Sequence, residues 1–167
     1  MLNKYDVANF FLSLDPERIL FNQKLIEKNN VVFYEGNARL NKYMHLAQNI
    51  YLAMTGELLI DALFYAYDNG AVIPEIQKEY RMLSVKKNEY KNISDSQKKF
   101  LIKLFEAFKN ASIDEIIDID HEDNAWLEKC NSYTLEGQKM DTLAHAKEYK
   151  EQYADIIKVL ERMEMAC

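Results

Sequence analysis

The 167-residue sequence predicts a mainly α fold, a compact single-domain helical bundle with a small β-hairpin around residues 63–73. Three observations predict it. Apolar residues make up 49% of the chain, against four glycines and two prolines, so a sizeable core can be buried and little interrupts helices. In several stretches apolar side chains recur at steps of three and four, the spacing that lines one face of an α-helix. One stretch instead sets short apolar runs on either side of Asn69-Gly70, a strong hairpin signal.

The elements follow in chain order. Val7, Phe10, Phe11 and Leu14 predict a first short helix, limited by Pro16. Residues 17–36 read as mixed. Arg18 to Phe21 suits another helical turn, Val31 to Tyr34 has strand character, and Asn29-Asn30 and Gly36 punctuate the segment. The most regular helix carries Leu40, Tyr43, Met44, Ala47, Ile50, Tyr51 and Met54 on one stripe, with Asn37 as N-cap and Gly56 as C-terminal stop. The hairpin arms run from Phe64 and to Ile73, and its Asn69-Gly70 turn asks for positive φ at both positions.

Pro74 fits the first turn of the next helix, whose buried side is Ile76, Tyr80 and Leu83. Residues 85–93 read as a loop or edge strand. Ser94-x-x-Gln97 is a capping box opening a helix with Phe100, Leu101, Leu104, Phe105 and Phe108. Ser112-x-x-Glu115 is a second, opening a helix with Ile113, Ile116 and Ile117. Trp126 and Leu127 belong to a short helix after Asp123, and residues 131–137 connect onward. The last helix is expected from Asp141 to about residue 166, with Ala146, Tyr149, Tyr153, Ile156, Leu160 and Met163 as its seam. Such a seam lies on its own domain or joins a homodimer. No repeat or linker divides the chain, so residues 1–167 are expected to be one domain.

The net charge of −6 is unevenly distributed: 6 basic and 9 acidic side chains in residues 1–77, 8 and 3 in 78–103, 7 and 15 in 104–167. An acidic total argues against general nucleic-acid binding, which needs cations to neutralise phosphates, so a DNA-binding role would rest on the middle segment alone. Cys130 and Cys167 make no disulfide framework, which suits a reducing cytoplasm. The N-terminus lacks the layout of a signal peptide, and no uncharged apolar run approaches the roughly 18–20 residues of a membrane span. The expectation is a soluble cytoplasmic protein with no membrane partner.

Catalytic grammar is missing. Gly36, Gly56, Gly70 and Gly137 are too far apart for a phosphate-cradling loop, there is no G-x-S-x-G elbow, and His45, His121 and His145 lack the H-E-x-x-H spacing. The nearest cluster is Asp114, Glu115, Asp118, Asp120, Glu122 and Asp123, six acids within ten residues. It is the sole support for a metal-dependent hydrolase, and it lacks the glycine and glutamate of an EF-hand loop. Acids at a helix start equally answer the helix dipole. Cys130 suits a small buried hydrophobe better than a nucleophile. The chain is therefore expected to be no enzyme, with no cofactor and no metal. Eleven tyrosines favour an interaction surface, since tyrosine buries a large area while keeping a polar tip.

Leu40-Asn41-Lys42-Tyr43-Met44-His45-Leu46-Ala47-Gln48, followed by Leu52-Ala53-Met54-Thr55-Gly56-Glu57, resembles the K-L-x-K-L-L-Y-x-A-Q … L-A-x-T-G helix of phage-associated GepA-like proteins, also called SocA-like or Panacea antitoxin domains. Ala66 to Glu75 resembles their A-x-x-x-G-P-V-x-P-E segment, His121 and Trp126 their later H-x-x-x-x-W, and Tyr5 to Phe11 their opening helix. The resemblance spans about residues 5–130. Ala71 and Ala125 replace prolines of the pattern, Tyr67 a frequent tryptophan, and residues 17–36 are longer than usual. The resemblance implies an antitoxin of a mobile or phage-associated element that binds a toxin encoded nearby, or presents it for proteolysis. The other reading is a homodimeric accessory protein with no toxin partner. The matched positions Lys42, Gln48, Tyr51, Gly70, Pro74 and Trp126 are the candidate site residues, with Gly70 and Pro74 setting backbone geometry and Lys42, Gln48 and Tyr51 reaching a partner if exposed.

Overall fold

In the computed structural model, which describes residues 1–163, the order of elements is β1 (Leu2–Asn3), α1 (Lys4–Ser13), β2 (Leu25–Lys28), β3 (Val31–Tyr34), α2 (Glu35–Thr55), β4 (Ile60–Asp61), β5 (Tyr65–Tyr67) and β6 (Gly70–Val72). Then come α3 (Pro74–Glu79), α4 (Asp95–Phe108), α5 (Ile113–Asp120), α6 (Asn124–Leu127), α7 (Ala146–Gln152) and α8 (Ala154–Arg162). The protein is mainly α, with three two-stranded sheets: β1 with β4 in parallel, β2 with β3 and β5 with β6 as hairpins.

The 21-residue helix α2 is the axis, and α1, α3, α4, α5, α7 and β6 pack around it. Its apolar stripe predicts a helix with one buried face, yet every residue from Arg39 to Ile50 is buried. Tyr43 sits among Phe11, Phe21 and Phe105 with ring centroids 5.6–6.1 Å apart in edge-to-face arrangements. One hydrophobic cluster takes in side chains from Leu2 to Leu160.

Residues 17–36 differ from their sequence reading. Arg18 to Phe21 is no helical turn. Arg18 has φ 55°, and the Asp15 carboxylate accepts from the backbone N–H groups of Ile19, Leu20 and Phe21 at 2.8–3.0 Å. The Arg18 guanidinium then ties this bend to the loop after α3, donating to the carbonyls of Leu83 and Lys86. Asn29 and Asn30, with φ 54° and 64°, form the two-residue turn of a hairpin in which Lys28 faces Val31. Asn37 is not the N-cap of α2. The helix starts three residues earlier, directly off β3 with Tyr34 in the cap position, because Glu35 and Gly36 donate their N–H groups to the carbonyls of Lys24 and Asn22. Backbone thus does the work of a capping side chain. Gly36 lies inside the helix, where a Cβ would run into the Asn22 backbone.

Gly56 ends α2 in the left-handed conformation at φ 78°, and Pro74 opens α3 as expected. The second hairpin turns one residue earlier than Asn69-Gly70 suggests. Tyr67 pairs with Gly70, so Asp68 and Asn69 form the loop, and Gly70 carries the positive φ of 113° while Asn69 does not. Residues 85–93 are irregular apart from the last residue of a 3-10 turn at Leu83–Val85. Ser94 and Gln97 form the full reciprocal capping box of α4; at Ser112 only the bond from the Glu115 N–H is made.

The single helix expected from Asp141 is divided: a 3-10 turn at Leu143–His145, then α7 and α8 with a break at Tyr153. One straight helix cannot lie along both α2, which α7 packs on, and α4, which α8 packs on. Its seam faces inward: Tyr149, Tyr153 and Leu160 are buried, with Ala146, Ile156 and Met163 packed against the core. Residues 164–166 of the expected helix and Cys167 lie outside the described residues.

Candidate functional site

The polar residues of α2 have to find partners inside the protein, since an unpaired buried polar group costs several kcal/mol. His45 is fully buried and turns one ring nitrogen to each of two buried carboxylates, Nδ1 to Asp120 at the end of α5 and Nε2 to Asp123 at 2.8 Å. Asp123, the N-cap of α6, also accepts from the Ala125 N–H (2.9 Å), the Tyr149 hydroxyl (2.7 Å) and the Asn49 amide (3.1 Å). Asn49 donates as well to the Tyr153 hydroxyl at 3.1 Å. Asp120 accepts from the Ala71 N–H at 2.6 Å, and the Ala71 carbonyl accepts from Lys42 Nζ at 2.8 Å. One continuous network therefore joins α2, the β5–β6 hairpin, α5, α6 and the C-terminal helices.

Burial penalises the charged form of His45, but Asp120 and Asp123 outweigh it and lift its pKa to about 9. Burial likewise opposes ionised Asp123, yet His45, Tyr149 and the Ala125 N–H hold it below the usual carboxylate range. For Lys42 burial dominates and lowers the pKa, with Asp120 opposing. Burial and the Asp123 charge push Tyr149 and Tyr153 well up. The imidazolium between two carboxylates, closed off from solvent, is a buried ionic set that ties α2 to the end of α5 and the start of α6.

The acidic cluster of the sequence is split by this arrangement. Asp120 and Asp123 point inward to His45, whereas Asp114, Glu115, Asp118 and Glu122 are exposed, Asp114 pairing with Lys28 at 2.9 Å. Among the described residues no three acidic, histidine or cysteine side chains converge on a cation position. Cys130 is half-buried against the core, with its thiol toward the Leu127 carbonyl.

Lys42 marks where the network meets the surface. It lines a cavity of about 290 Å³ with Asn37, Asn41, Tyr67 and Gly70, beneath β3. A wider hollow of about 800 Å³ shares Val31, Phe33, Asn37 and Gln77 with it and continues past Leu25, Lys78 and Arg81. Together they form one groove between the β2–β3 hairpin and α3.

Of the six candidate residues, Lys42 and Gly70 meet at the floor of this groove. A Cβ on Gly70 would overlap the Asp120 carboxylate and the Lys42 stem, so only glycine fits. Trp126 is close by in the fold, donating Nε1–H to the Tyr67 carbonyl at 2.8 Å and stacking on His121, whose Nε2–H in turn meets the Asp68 carbonyl. Gln48 lies elsewhere and is buried: its Oε1 accepts from the Leu59 and Ile60 N–H groups and its Nε2 donates to the Ile60 carbonyl, which holds β4 beside β1. Tyr51 is half-buried, edge-on to Phe100, and Pro74 opens α3. The burial of Lys42 and Gln48 removes the condition under which their side chains would reach out to a partner.

His45, Asn49, Tyr149 and Tyr153 are not among the six candidate residues, and Asp120 and Asp123 enter the sequence reading only through the acidic cluster. A signal for part of them exists: Asn37, Asn41, His45 and Asn49 step by four along α2, a polar stripe beside the apolar one. Their partners come from positions 71 to 153, which no local pattern connects.

The family described as Antitoxin SocA-like, Panacea domain, matches residues 40–127, more than half of the chain. The chain belongs to this family. No curated protein and no solved structure matches it. The Panacea segment holds Lys42, His45, Asn49, Ala71, Asp120 and Asp123, while the β2–β3 hairpin, Tyr149 and Tyr153 lie outside it. Ala71 stands where the pattern of the resemblance has proline, and here its N–H donates to Asp120, a bond that proline cannot make. No helix among the described residues is long and apolar enough to cross a membrane.

Proposed function

We propose that this Panacea-domain protein is an antitoxin that neutralises a toxin encoded nearby by binding it directly, in the cytoplasm of a host carrying a phage-associated or other mobile element. It acts as one unit over residues 1–167 and catalyses no reaction. The reading rests on family membership, and one structural observation gives it a mechanism. The family positions Lys42, Gln48 and Trp126 donate to backbone carbonyls inside the fold, Gly70 pairs with Tyr67 in the hairpin, and the groove above Lys42 and Gly70 is lined by apolar, aromatic, amide and basic side chains with Asp68. That is the arrangement of a rigid scaffold presenting a binding surface. Lys42 and Gly70 form the groove floor, Pro74 opens the α3 wall and Trp126 holds Tyr67 at the narrow end, while Gln48 and Tyr51 brace the fold away from the groove.

Co-expression with the product of the neighbouring gene tests it. The expected result is rescue of growth together with a stoichiometric complex in a pull-down. Growth arrest without a complex would overturn the antitoxin reading. A complex with an unchanged toxin level supports neutralisation by occlusion, and a falling toxin level would replace occlusion by delivery to a protease.

A further inference from the structure

We infer that the groove between β3 and α3 receives a short segment of a protein partner that carries both acidic and apolar side chains. The inference deepens the antitoxin reading and rests on it for the nature of the partner, but not for the chemistry of the site.

The shape comes first. The two hollows share four lining residues, so they form one channel, and β3 contributes all of Val31 to Tyr34 to its wall. The β2–β3 sheet has only two strands, so each strand keeps one edge without a neighbour. Apolar side chains stand open at the wide end, where Leu25, Val32 and Met82 are 59%, 62% and 50% exposed. Scattered apolar residues need no explanation, but a cluster of half-exposed ones along a channel does.

Charge narrows the occupant. Lys78 and Arg81 line the wide end, no acid lines it, and among the described residues neither cation has an ion-pair partner. They open the stretch 78–103, whose 8 basic and 3 acidic side chains run against the acidic balance of the rest. At the narrow end Lys42 lies in the floor, 2% exposed, with its Nζ donating to the Ala71 carbonyl, so the free positive charge of the groove is that of Lys78 and Arg81. Asp68, the one carboxylate there, is exposed. Apolar walls with the unpaired Lys78 and Arg81 complement a chain alternating apolar and acidic residues. The family match begins at residue 40, so the groove sets a wall outside the shared segment, β2–β3, against α3 within it.

The test uses the full chain and three fluorescein-labelled 12-residue peptides, of alternating Glu/Leu, Glu/Ser and Lys/Leu, read by fluorescence polarisation. The Glu/Leu peptide is expected to bind at least about tenfold tighter than the other two, and to weaken as salt is raised. Lys78→Glu with Arg81→Glu should weaken it at least about tenfold and favour Lys/Leu instead. Val32→Asp, at an exposed position, should weaken it without moving the thermal midpoint. Equal binding of all three peptides, or indifference to the charge reversal, would overturn the inference. So would equal binding of a 12-nucleotide single strand, which would make the site a polyanion surface, or a dimer in sedimentation that Val32→Asp dissolves, which would give the groove to a second copy. Because the peptides need no toxin, loss of peptide binding with rescue intact removes the groove alone. Peptide binding with no rescue removes the antitoxin reading alone.

Discussion

Replacing His45 with Gln strikes the buried network at its centre. Asp120 and Asp123 are both fully buried and share the imidazole as their counter-charge. Removing one member of such a buried ionic set costs about 3–5 kcal/mol, because the partner charges stay buried without compensation. For a chain of this length 1 kcal/mol moves Tm by about 2–4 °C, so Tm should fall by roughly 6–20 °C. The pH dependence is the sharper readout. His45 titrates at about 9 in the fold against 6.5 ordinarily, so its charge favours folding. That stabilisation, about 3 kcal/mol, is complete below pH 6.5 and drains away as pH rises through 9. Lys42, which burial lowers, contributes a slope of the opposite sign. The difference between wild type and His45→Gln cancels that contribution, and urea denaturation of both from about pH 6 to about pH 10 measures it. A gap of several kcal/mol at low pH should shrink on the alkaline side. Equal midpoints at pH 6, or a gap constant across the range, would refute a charged His45 between two carboxylates.

Two further substitutions probe the groove floor and the β4 anchor, with Gly56→Ala as the control for the first. Gly70→Ala must strain a φ of 113° and also displace Asp120 and Lys42, whereas Gly56→Ala has the positive φ but open space around its Cβ. Thermal unfolding should show a loss of about 2–4 kcal/mol for the first and about 1 kcal/mol for the second; equal losses would mean that the Asp120 contact is slack. Gln48→Leu leaves the Leu59 and Ile60 N–H groups without their acceptor, which should cost about 2–4 kcal/mol and speed hydrogen exchange at those two amides. Unchanged exchange there would show that Gln48 does not hold β4.

Local chemistry was legible wherever it is self-contained. The capping box at Ser94 and Gln97, the left-handed stop at Gly56 and the first turn at Pro74 each depend on residues within four positions of one another. The apolar stripes of α1 and α4 were legible for the same reason. Two of the failures come from segments distant in sequence. Asn37 loses the N-cap because Lys24 and Asn22 already accept the first helical N–H groups, and the last helix breaks at Tyr153 because its halves lie on different helices.

For the candidate site, the sequence marked Lys42 and Gly70 through the family pattern but could not say that they touch one another's surroundings through Asp120. His45 and Asn49 showed as polar steps on a helix, with no sign that Asp120, Asp123, Tyr149 and Tyr153 would meet them.

The sequence by itself determined the mainly α class, the starts of α3, α4, α5 and α6, the stop of α2, and membership of the Panacea family, because those depend on spacing, capping and short motifs read along the chain. Only the tertiary structure decided that α2 is buried on every side from Arg39 to Ile50, that His45 and Asn49 of its polar stripe are held by carboxylates more than 70 residues away, and that a hairpin outside the family segment forms one wall of the groove. The physical reason is reach: periodicity constrains which face of an element is apolar, whereas a buried charge needs partners that only the folded chain can bring to it.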